Sequence, residues 1–160
     1  MSAKNHLAEI YNFLQISDTI ATSGQPTAEQ FAAIKAAGYQ LIVNLALPTS
    51  SNALSNEQEI IESQGMQYVD IPVEWENPTL EDVIKFFSVM ETNSDKKIFV
   101  HCAANMRVSA FMYLFRRIHQ GLNDATAEQD LHKIWVPNEV WQKFIQEALN
   151  TYQQKSEKLT

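Results

Sequence analysis

The sequence predicts an α/β layer sandwich, in which helices flank a central, mostly parallel sheet of four to five strands. The main observation is an alternation along the chain: short runs rich in branched and aromatic residues are followed by segments with the capping residues and periodicity of helices. A second observation is that the runs at residues 40–45 and 97–101 are nearly continuous in apolar character, as in strands covered on both faces. Strands that alternate with helices imply right-handed crossovers between parallel neighbours.

Four stretches are predicted to form the strands of this sheet. Residues 18–23 are predicted to add an edge strand ahead of the turn at residues 24–26. Residues 40–45, 68–73 and 97–101 follow, and each carries the β-branched and aromatic residues that strands favour.

Helix starts are predicted where a hydroxyl residue is followed three positions later by Glu, Gln or Asp, because such a pair can close a capping box. After Thr79, apolar residues also recur at spacings of three and four, which gives a helix one buried face. The last third of the chain is predicted as three helices, at residues 107–120, 126–135 and 138–153. The four capping pairs are Thr27/Gln30, Ser55/Gln58, Thr79/Asp82 and Thr126/Gln129.

Length and composition limit the class of protein. A chain of 160 residues, 45% hydrophobic and 19% charged, matches one globular domain, so residues 1–160 are predicted as a single domain with its core at about residues 10–150. The net charge of −7 argues against a sequence-independent nucleic-acid binder, which needs clustered Lys and Arg. No segment reaches the roughly 18 to 20 apolar residues of a membrane span. The start of the chain lacks the apolar core of a signal peptide, so a cytoplasmic protein is expected, although one whose leader had been removed would look the same.

The chemistry of the chain is predicted to centre on VHCAANMRVSAF, residues 100–111. Cys102 is the only cysteine, which excludes an internal disulfide and a multi-cysteine zinc site. It follows a predicted buried strand, and a helix is predicted to begin at about Arg107, so the backbone N–H groups between them can converge into an anion-binding nest. These amides, the helix dipole and the Arg107 guanidinium favour a thiolate at Cys102. A lone cysteine is more often a buried small hydrophobe, but the strand, loop, arginine and helix around this one favour a reactive site.

HCAANMR resembles the signature loop of the cysteine-dependent protein tyrosine and dual-specificity phosphatases, in a shortened four-residue form. The order SGQPT, IVNLAL, IPVEWENPT and HCAANMR, with WVPN further on, is similar to the small bacterial DUF442 class of phosphatase-like domains, related to the module in beta-lactamase-hydrolase-like proteins. The resemblance covers about residues 10–150 and implies a dual-specificity-phosphatase-like layer sandwich. It also implies hydrolysis of phosphomonoesters with no metal and no other cofactor.

Position by position, the resemblance makes Cys102 the nucleophile that forms a phosphocysteine and Arg107 the side chain that binds the equatorial oxygens of the phosphoryl group. His101 either organises the loop or only packs in the core. The backbone groups that would donate to phosphate belong to Ala103, Ala104, Asn105 and Met106.

The loop departs from the family pattern around its arginine. The usual loop has five residues before the arginine and a Ser or Thr directly after it, whereas here Arg107 comes one position early and Val108 follows it. Ser109 stands seven residues after Cys102, where the longer loop places its hydroxyl. Ser109 therefore either eases departure of the thiolate or simply bonds to the preceding helical turn.

Cleavage of a phosphomonoester also needs a proton donor for the leaving oxygen, which the family supplies from an Asp on an upstream loop. The matching segment, IPVEWENPT, has no Asp after its strand, and Asp70 lies inside the strand. Glu74 and Glu76 are the candidates, and Glu76 is preferred because it lies further past the strand; otherwise both are solvated loop residues. Trp75 between them is expected to pack against a helix more often than to stack on a substrate.

Other polar residues at strand ends are weaker candidates. Gln25 and Asn44 lie at edges that could face the pocket, whereas Asn138 is expected to cap the last helix.

Three functions remain open on the sequence alone. The first is a phosphatase that acts through a phosphocysteine on a phosphorylated small molecule or protein, with phosphate or sulfate as a ligand of the loop. The second is a sulfurtransferase that resembles rhodanese, which has the same loop length and would carry a persulfide on Cys102. The third is a catalytically weak pseudophosphatase that binds phosphate only. No nucleic-acid or membrane partner is expected, and no pattern indicates an oligomeric state.

Overall fold

The structure is a computed structural model that describes residues 6–159, with side chains described to residue 153. Strands and helices alternate through the first two thirds of the chain, and three helices complete it. The strands are β1 (Leu14–Gln15), β2 (Ile20–Ser23), β3 (Leu41–Asn44), β4 (Gln67–Asp70) and β5 (Ile98–His101). The helices are α1 (Ala28–Ala36), α2 (Glu57–Ser63), α3 (Leu80–Thr92), α4 (Met106–Ile118), α5 (Asp124–Ile134) and α6 (Glu139–Leu159).

The five strands form one sheet in the order β1-β2-β5-β3-β4, with only β1 antiparallel to its neighbour. The predicted α/β sandwich with a mostly parallel sheet is therefore confirmed. In the parallel register, Ser23 of β2 and Asn44 of β3 both lie opposite His101 of β5. The carboxyl ends of the three central strands consequently meet at one edge, where ligands bind in open α/β sheets.

The prediction that residues 18–23 form an edge strand is wrong. β2 lies inside the sheet, between β5 and β1, and the edge is the two-residue strand β1, in which Leu14 pairs with Thr22. A two-residue strand has too few positions to establish an alternating pattern, so nothing in the sequence indicated this outer neighbour.

Two of the four predicted capping boxes form. Thr27 and Thr79 each accept from a backbone amide of the first turn of their helix, and the third residue of each helix bonds back to the cap. The other two predicted boxes are wrong. α2 begins after Asn56, which makes no side-chain cap bond, and α5 begins after Asn123, whose Oδ1 accepts from Thr126 N at 2.8 Å. Asn ranks above Thr as an N-cap, which explains why α5 begins two residues before the predicted helix.

The sheet is covered on both faces, because successive residues of its central strands enter opposite clusters. Leu41 and Val43 pack with α3, α4, α5 and α6, whereas Ile42 and Phe99 pack with α1, α2 and the segment that precedes β1. α4 is the most enclosed helix, with every residue from Arg107 to Phe115 buried. Among the described residues, no helix is long and apolar enough to cross a membrane.

Candidate active site

Cys102 lies where the central strand β5 ends and the loop to α4 begins. Its side chain is buried, with 1% of the residue exposed, and its amide donates to Ser23 O at 3.3 Å. The strand before it is buried throughout, so the thiol is held by a rigid part of the sheet. The loop then has only residues 103–105 before α4 begins at Met106.

Asn105 starts α4 without capping it. Its backbone adopts the left-handed conformation, with φ of 66°, and its side chain makes no cap hydrogen bond. The first amides of a helix have no intrahelical acceptor, and a left-handed residue beside a helical one forms an anion-binding concavity. The N–H groups at the start of α4 can therefore be used by a bound oxyanion.

The Asn105 side chain instead binds groups on the segments that pack against the loop. Its Nδ2 donates to Asn12 O at 2.9 Å and to Thr22 Oγ1 at 3.1 Å. Among the described residues its buried Oδ1 has no hydrogen-bond partner. The loop is thus tied to β2 and to the segment before β1.

Backbone and side-chain donors far away in the sequence bind the carbonyl groups of this loop. Ala103 O accepts from Gln25 N at 3.1 Å and from Asn52 Nδ2 at 3.0 Å, and Ala104 O accepts from Asn12 Nδ2 at 3.0 Å. In a trans peptide the N–H points away from the carbonyl before it, so a bound Ala103 carbonyl also fixes the direction of the Ala104 amide. The orientation of this loop is therefore set without a ligand.

Gly24 allows the turn after β2 to approach the loop closely. It bridges to Ala104, and a Cβ atom at this position would lie 2.6 Å from the Tyr11 ring and 2.8 Å from Ala103 O. No other residue fits without displacing the loop.

Arg107 lies in the first turn of α4 with 7% of the residue exposed. Its Nη1 donates to Val73 O at 2.9 Å. Val73 directly precedes Glu74, so the arginine ties the Cys102 loop to the start of the glutamate-containing segment. A guanidinium carries further N–H donors that can bind an oxyanion in a bidentate manner.

A buried polar network lies beneath the loop. His101 Nε2 contacts Glu57 Oε2 at 2.7 Å, and His101 Nδ1 contacts Cys102 O at 3.2 Å. Glu57 also accepts from Gln25 Nε2 at 2.6 Å and from Asn44 Nδ2 at 3.1 Å. Both strand-end residues that the sequence indicated thus face Glu57.

Tyr68 borders this network, since Asn44 Nδ2 also donates to its hydroxyl at 3.1 Å. Burial, and then the charges of Glu57 and Asp70, raise the pKa of Tyr68 to about 12, against the opposing hydrogen bond from Asn44. Its hydroxyl therefore stays protonated near neutral pH.

Ser109 bonds to its own helix. Its Oγ donates to Met106 O at 2.9 Å and accepts from Trp135 Nε1 at 3.1 Å. The hydroxyl thus links α4 to the end of α5, which is the simpler of the two interpretations of the sequence. A role of the Ser109 hydroxyl in the departure of the thiolate stays a prediction.

The two candidate acids lie on an exposed turn. Asn77 N bonds to Glu74 O at 3.2 Å, and both glutamate side chains are exposed. Glu76 borders a cleft formed with Pro78 and α6. Within the described part of the chain, no hydrogen bond or ion pair joins either carboxylate to the Cys102 loop, so the role of each glutamate stays a prediction.

Trp75 fixes the base of that turn. Its ring lies 5.2 Å from the ring of Trp135 and 5.8 Å from that of Trp141, whose Nε1 donates to Trp75 O at 2.9 Å. The expectation that Trp75 packs against helices is correct. Asn138 caps α6 as expected, with its Oδ1 accepting from Trp141 N at 3.0 Å.

The comparison with protein families decides between the phosphatase and sulfurtransferase families. The family described as DSP-PTPase phosphatase fused to NAD+ kinase matches residues 13–152. The chain belongs to this family. The predicted dual-specificity-phosphatase-like fold is therefore that of a phosphatase family, as the resemblance implied.

Solved structures agree with this family. A candidate phosphatase of the DUF442 class from Shewanella putrefaciens CN-32 is 35% identical, with a TM-score of 0.83, over 92% of this chain and 97% of that one. The core catalytic domain of the PP-IP phosphatase SIW14 from S. cerevisiae, in complex with citrate, is 16% identical, with a TM-score of 0.72, over 86% and 85%. TpbA from P. aeruginosa is 14% identical, with a TM-score of 0.70, over 86% and 85%. The last two show the fold alone. The search of curated proteins found no match.

Several residues at the site of this family member were not indicated by the sequence. Glu57 resembles an ordinary acidic residue in the first turn of a helix. Asn12 and Asn52 lie in irregular segments with no periodic pattern. Among the described residues, no three His, Cys, Asp or Glu side chains cluster so as to hold a metal ion.

Proposed function

We propose that this chain hydrolyses phosphomonoesters through a phosphocysteine at Cys102. The observation that carries the proposal is the loop itself: a buried thiol at the end of the central strand, an uncapped helix start, and carbonyl groups bonded away from the loop centre. Membership of a phosphatase family supports the same reaction. The proposed substrate is a phosphorylated small molecule or protein.

In the first step, the Cys102 thiolate attacks phosphorus and the bond from phosphorus to the ester oxygen breaks. The amides at the start of α4 and the guanidinium of Arg107 stabilise the charge on the transferred phosphoryl group. The leaving oxygen takes a proton from a carboxylic acid, for which Glu76 and Glu74 are the candidates. An alcohol leaves, and the phosphoryl group stays on sulfur.

In the second step, water attacks the phosphocysteine and gives one proton to the same carboxylate. The bond between sulfur and phosphorus breaks, inorganic phosphate forms, and the thiolate is restored. The hydrogen bond from Arg107 to Val73 O holds the start of the glutamate-containing turn beside the loop. Either glutamate would therefore reach the phosphate by movement of the turn that follows Val73.

The test is hydrolysis of an aryl phosphate in metal-free buffer by the wild type and by Cys102→Ser. We expect the variant to lose turnover while it still binds phosphate, because the loop amides and Arg107 are unchanged. Equal activity in both proteins would end the proposal.

The acid is identified by comparing Glu74→Gln with Glu76→Gln on aryl and alkyl phosphates. Removal of the general acid should slow cleavage of the alkyl ester by about a hundredfold or more, and should slow the aryl ester less, since a phenolate leaves without much help. If neither variant changes that ratio, the acid is not one of these glutamates.

A wild type that binds phosphate tightly but turns over no ester would support the pseudophosphatase instead. A mass increase of one sulfur on Cys102 after thiosulfate, removed by cyanide, would support sulfur transfer.

A further inference from the structure

A polar cavity lies beside the Cys102 loop and has no part in the two steps above. Its volume is about 180 Å³, and it lies between the ends of β3 and β4, the start of α2 and the segment that joins β3 to α2. Concave sites with a few convergent polar groups are the usual places where proteins bind small ligands or parts of them. We call it the side cavity; its polar lining includes Gln25, Asn44, Glu57, Tyr68 and Asp70.

The register of the sheet sets the distance between the side cavity and the nucleophile. His101 of β5 pairs with Asn44 of β3, and Asn44 pairs with Asp70 of β4. Neighbouring strands lie about 4.8 Å apart, so Asp70 lies roughly 10 Å from the strand that leads to Cys102. Each of the three paired residues ends its strand, so the side cavity lies at the same edge of the sheet as the Cys102 loop.

The side cavity and the Cys102 loop share a wall. Gln25 donates from its backbone N–H to Ala103 O at 3.1 Å, while its side chain lines the side cavity. Asn52 donates to the same carbonyl from Nδ2, and the next residue, Ala53, lines the side cavity. A ligand bound in the loop therefore has to extend past only this wall to reach the side cavity.

The free polar groups of the side cavity accept hydrogen bonds. Gln25 is 9% exposed, and its Nε2 donates to Pro26 O and to Glu57 Oε1. Because both of these partners are acceptors, the orientation of the amide is fixed, and the Oε1 of Gln25 accepts from no described residue. The Asp70 carboxylate also makes no hydrogen bond or ion pair within the described part of the chain, although it is exposed. An acceptor that is largely buried without a donor is costly, so this lining favours a ligand that donates hydrogen bonds.

Charge favours a cation over a neutral donor. Among the described residues that line the side cavity none is Lys, Arg or His, whereas Glu57 and Asp70 are acidic. Burial raises the pKa of Tyr68, and the charges of these two carboxylates raise it further, to about 12, despite the hydrogen bond from Asn44. The negative charges thus act on the lining of the side cavity, and they would attract a positive charge placed there.

We propose that the side cavity binds a positively charged group of the substrate, an ammonium or a guanidinium, while the Cys102 loop binds its phosphate. The inference rests on the proposed function and assigns a substrate class to it. The substrate is a phosphomonoester that carries a cation roughly 10 Å from its phosphate, two strand spacings away. The cation is an amine of a small molecule or a basic side chain of a phosphoprotein, about three extended residues from the phosphorylated one.

The experiment compares phosphate esters that differ in this charge. Tyramine O-phosphate carries an ammonium group beyond its aromatic ring, and N-acetyltyramine O-phosphate has a neutral amide in its place. Phosphotyrosine peptides with Arg three residues before or after the phosphotyrosine are paired with peptides that have citrulline there, which keeps the shape and loses the charge. The preference of the enzyme is the ratio of kcat/KM for the charged ester to that for its neutral partner.

The preference is measured in the wild type, in Asp70→Asn and in Asp18→Asn. Asp70 is exposed, so its substitution should leave the fold intact, and thermal unfolding checks this. Asp18→Asn is the matched control, because it removes the same charge from an exposed position between β1 and β2, at the opposite edge of the sheet.

We expect the wild type to prefer the charged member of at least one pair by about fivefold or more, as for one partly screened ion pair. Asp70→Asn should lose most of this preference, and Asp18→Asn should keep it. A preference within the tyramine pair would assign the cation to a small molecule, and one within the peptide pairs would assign it to a phosphoprotein. Equal kcat/KM within every pair in the wild type, or a preference that Asp70→Asn keeps, would overturn the inference.

A binding measurement without phosphate decides the matter if no ester is hydrolysed. Propylguanidine is titrated into ¹⁵N-labelled protein, and the side-chain amide signals of Gln25 and Asn44 are followed by NMR. We expect saturable shifts of these signals, weaker binding to Asp70→Asn than to Asp18→Asn, and no such shifts with propylurea, which is neutral. If propylguanidine leaves these signals unchanged, or shifts them no more than propylurea does, the inference is wrong. Shifts in a protein that hydrolyses no ester would contradict the proposed function alone.

Discussion

At the scale of single residues, distant side chains hold the Cys102 loop, the proposed phosphate-binding loop, in place. Asn52 is exposed, and its Nδ2 donates to Ala103 O. If this side chain is removed, Ala103 O still accepts from Gln25 N. Asn52→Ala should therefore weaken phosphate binding by about two- to fivefold, the value of one net hydrogen bond. The change in phosphate binding is measured as the inhibition constant of phosphate in the aryl phosphate assay. Asn150→Ala, at an exposed position on α6, is the control, and equal inhibition constants for the two variants would contradict this account of the loop.

Gly24 gives a second prediction at this scale. The Cβ of Gly24→Ala would overlap Tyr11 and Ala103 O, so we expect a loss of about 1–3 kcal/mol in the free energy of unfolding, together with a loss of activity. Gly121→Ala is the control, because φ there is +66° but no atom lies within 4 Å of the added Cβ. It should cost about 1 kcal/mol from backbone strain and keep full activity. Activity retained in Gly24→Ala would show that the close approach is not needed.

The sequence was informative about residues whose chemistry is local. Cys102 and Arg107 could be proposed as site residues because a strand, a short loop and a helix start are consecutive along the chain. Glu57 and Asn12 could not, because Glu57 contacts His101 across 44 residues of sequence and Asn12 contacts Ala104 across 92, through contacts that exist only after the sheet forms.

At the scale of helices and strands, the start of α5 gives a prediction that distinguishes two candidate N-cap residues, Asn123 and Thr126. Asn123 accepts from the amide of Thr126, whereas the exposed Thr126 makes no cap bond. Asn123→Ala should lower the free energy of unfolding by about 1 kcal/mol, and Thr126→Ala should change it by less than about 0.5 kcal/mol. Urea denaturation of both variants measures the difference. If Thr126→Ala were the more destabilising of the two variants, the N-cap of α5 would be Thr126, as the sequence predicted.

The contact between α4 and α5 gives a prediction about pH. Burial raises the pKa of Asp130, but hydrogen bonds and charge from Lys133 and Arg116 outweigh it and hold the pKa below its usual value of 3.8. A carboxyl with a lowered pKa stabilises the fold at neutral pH, and this contribution is lost as pH falls through the folded pKa. Asp130→Asn should therefore be less stable than wild type at pH 7, with the difference shrinking below about pH 4.

Denaturant unfolding at both pH values checks this result. Glu81→Gln is the control, because the exposed pair of Glu81 and Lys85, at 4.0 Å, should contribute little at either pH. A destabilisation in Asp130→Asn that is independent of pH would assign Asp130 a packing role instead.

The elements themselves were largely predictable where their signal was strong. β3 and β5 lie within two apolar runs that were recognised from composition alone, and α3 begins at a predicted box. The two-residue β1 and the true caps of α2 and α5 were missed, because short elements carry little pattern and nearby polar residues compete for the same cap.

At the scale of the whole molecule, the sheet order places the loop after β5, the proposed reactive loop, among the ends of the central strands. β5 lies between β2 and β3, so the turn after β2 and Asn44 at the end of β3 reach the Cys102 loop or its supporting network from both sides. The alternation of strands and helices predicted a parallel sheet but not this order, which depends on which faces the helices cover.

The measurement that tests the central claim most directly is the trapping of the covalent intermediate. The wild type is mixed with an aryl phosphate, quenched rapidly in acid, and digested for mass spectrometry of the peptide that contains Cys102. The account predicts a phosphoryl group on Cys102 during turnover, absent in Cys102→Ser. Steady hydrolysis with no phosphoryl group on that peptide at any quench time would contradict it.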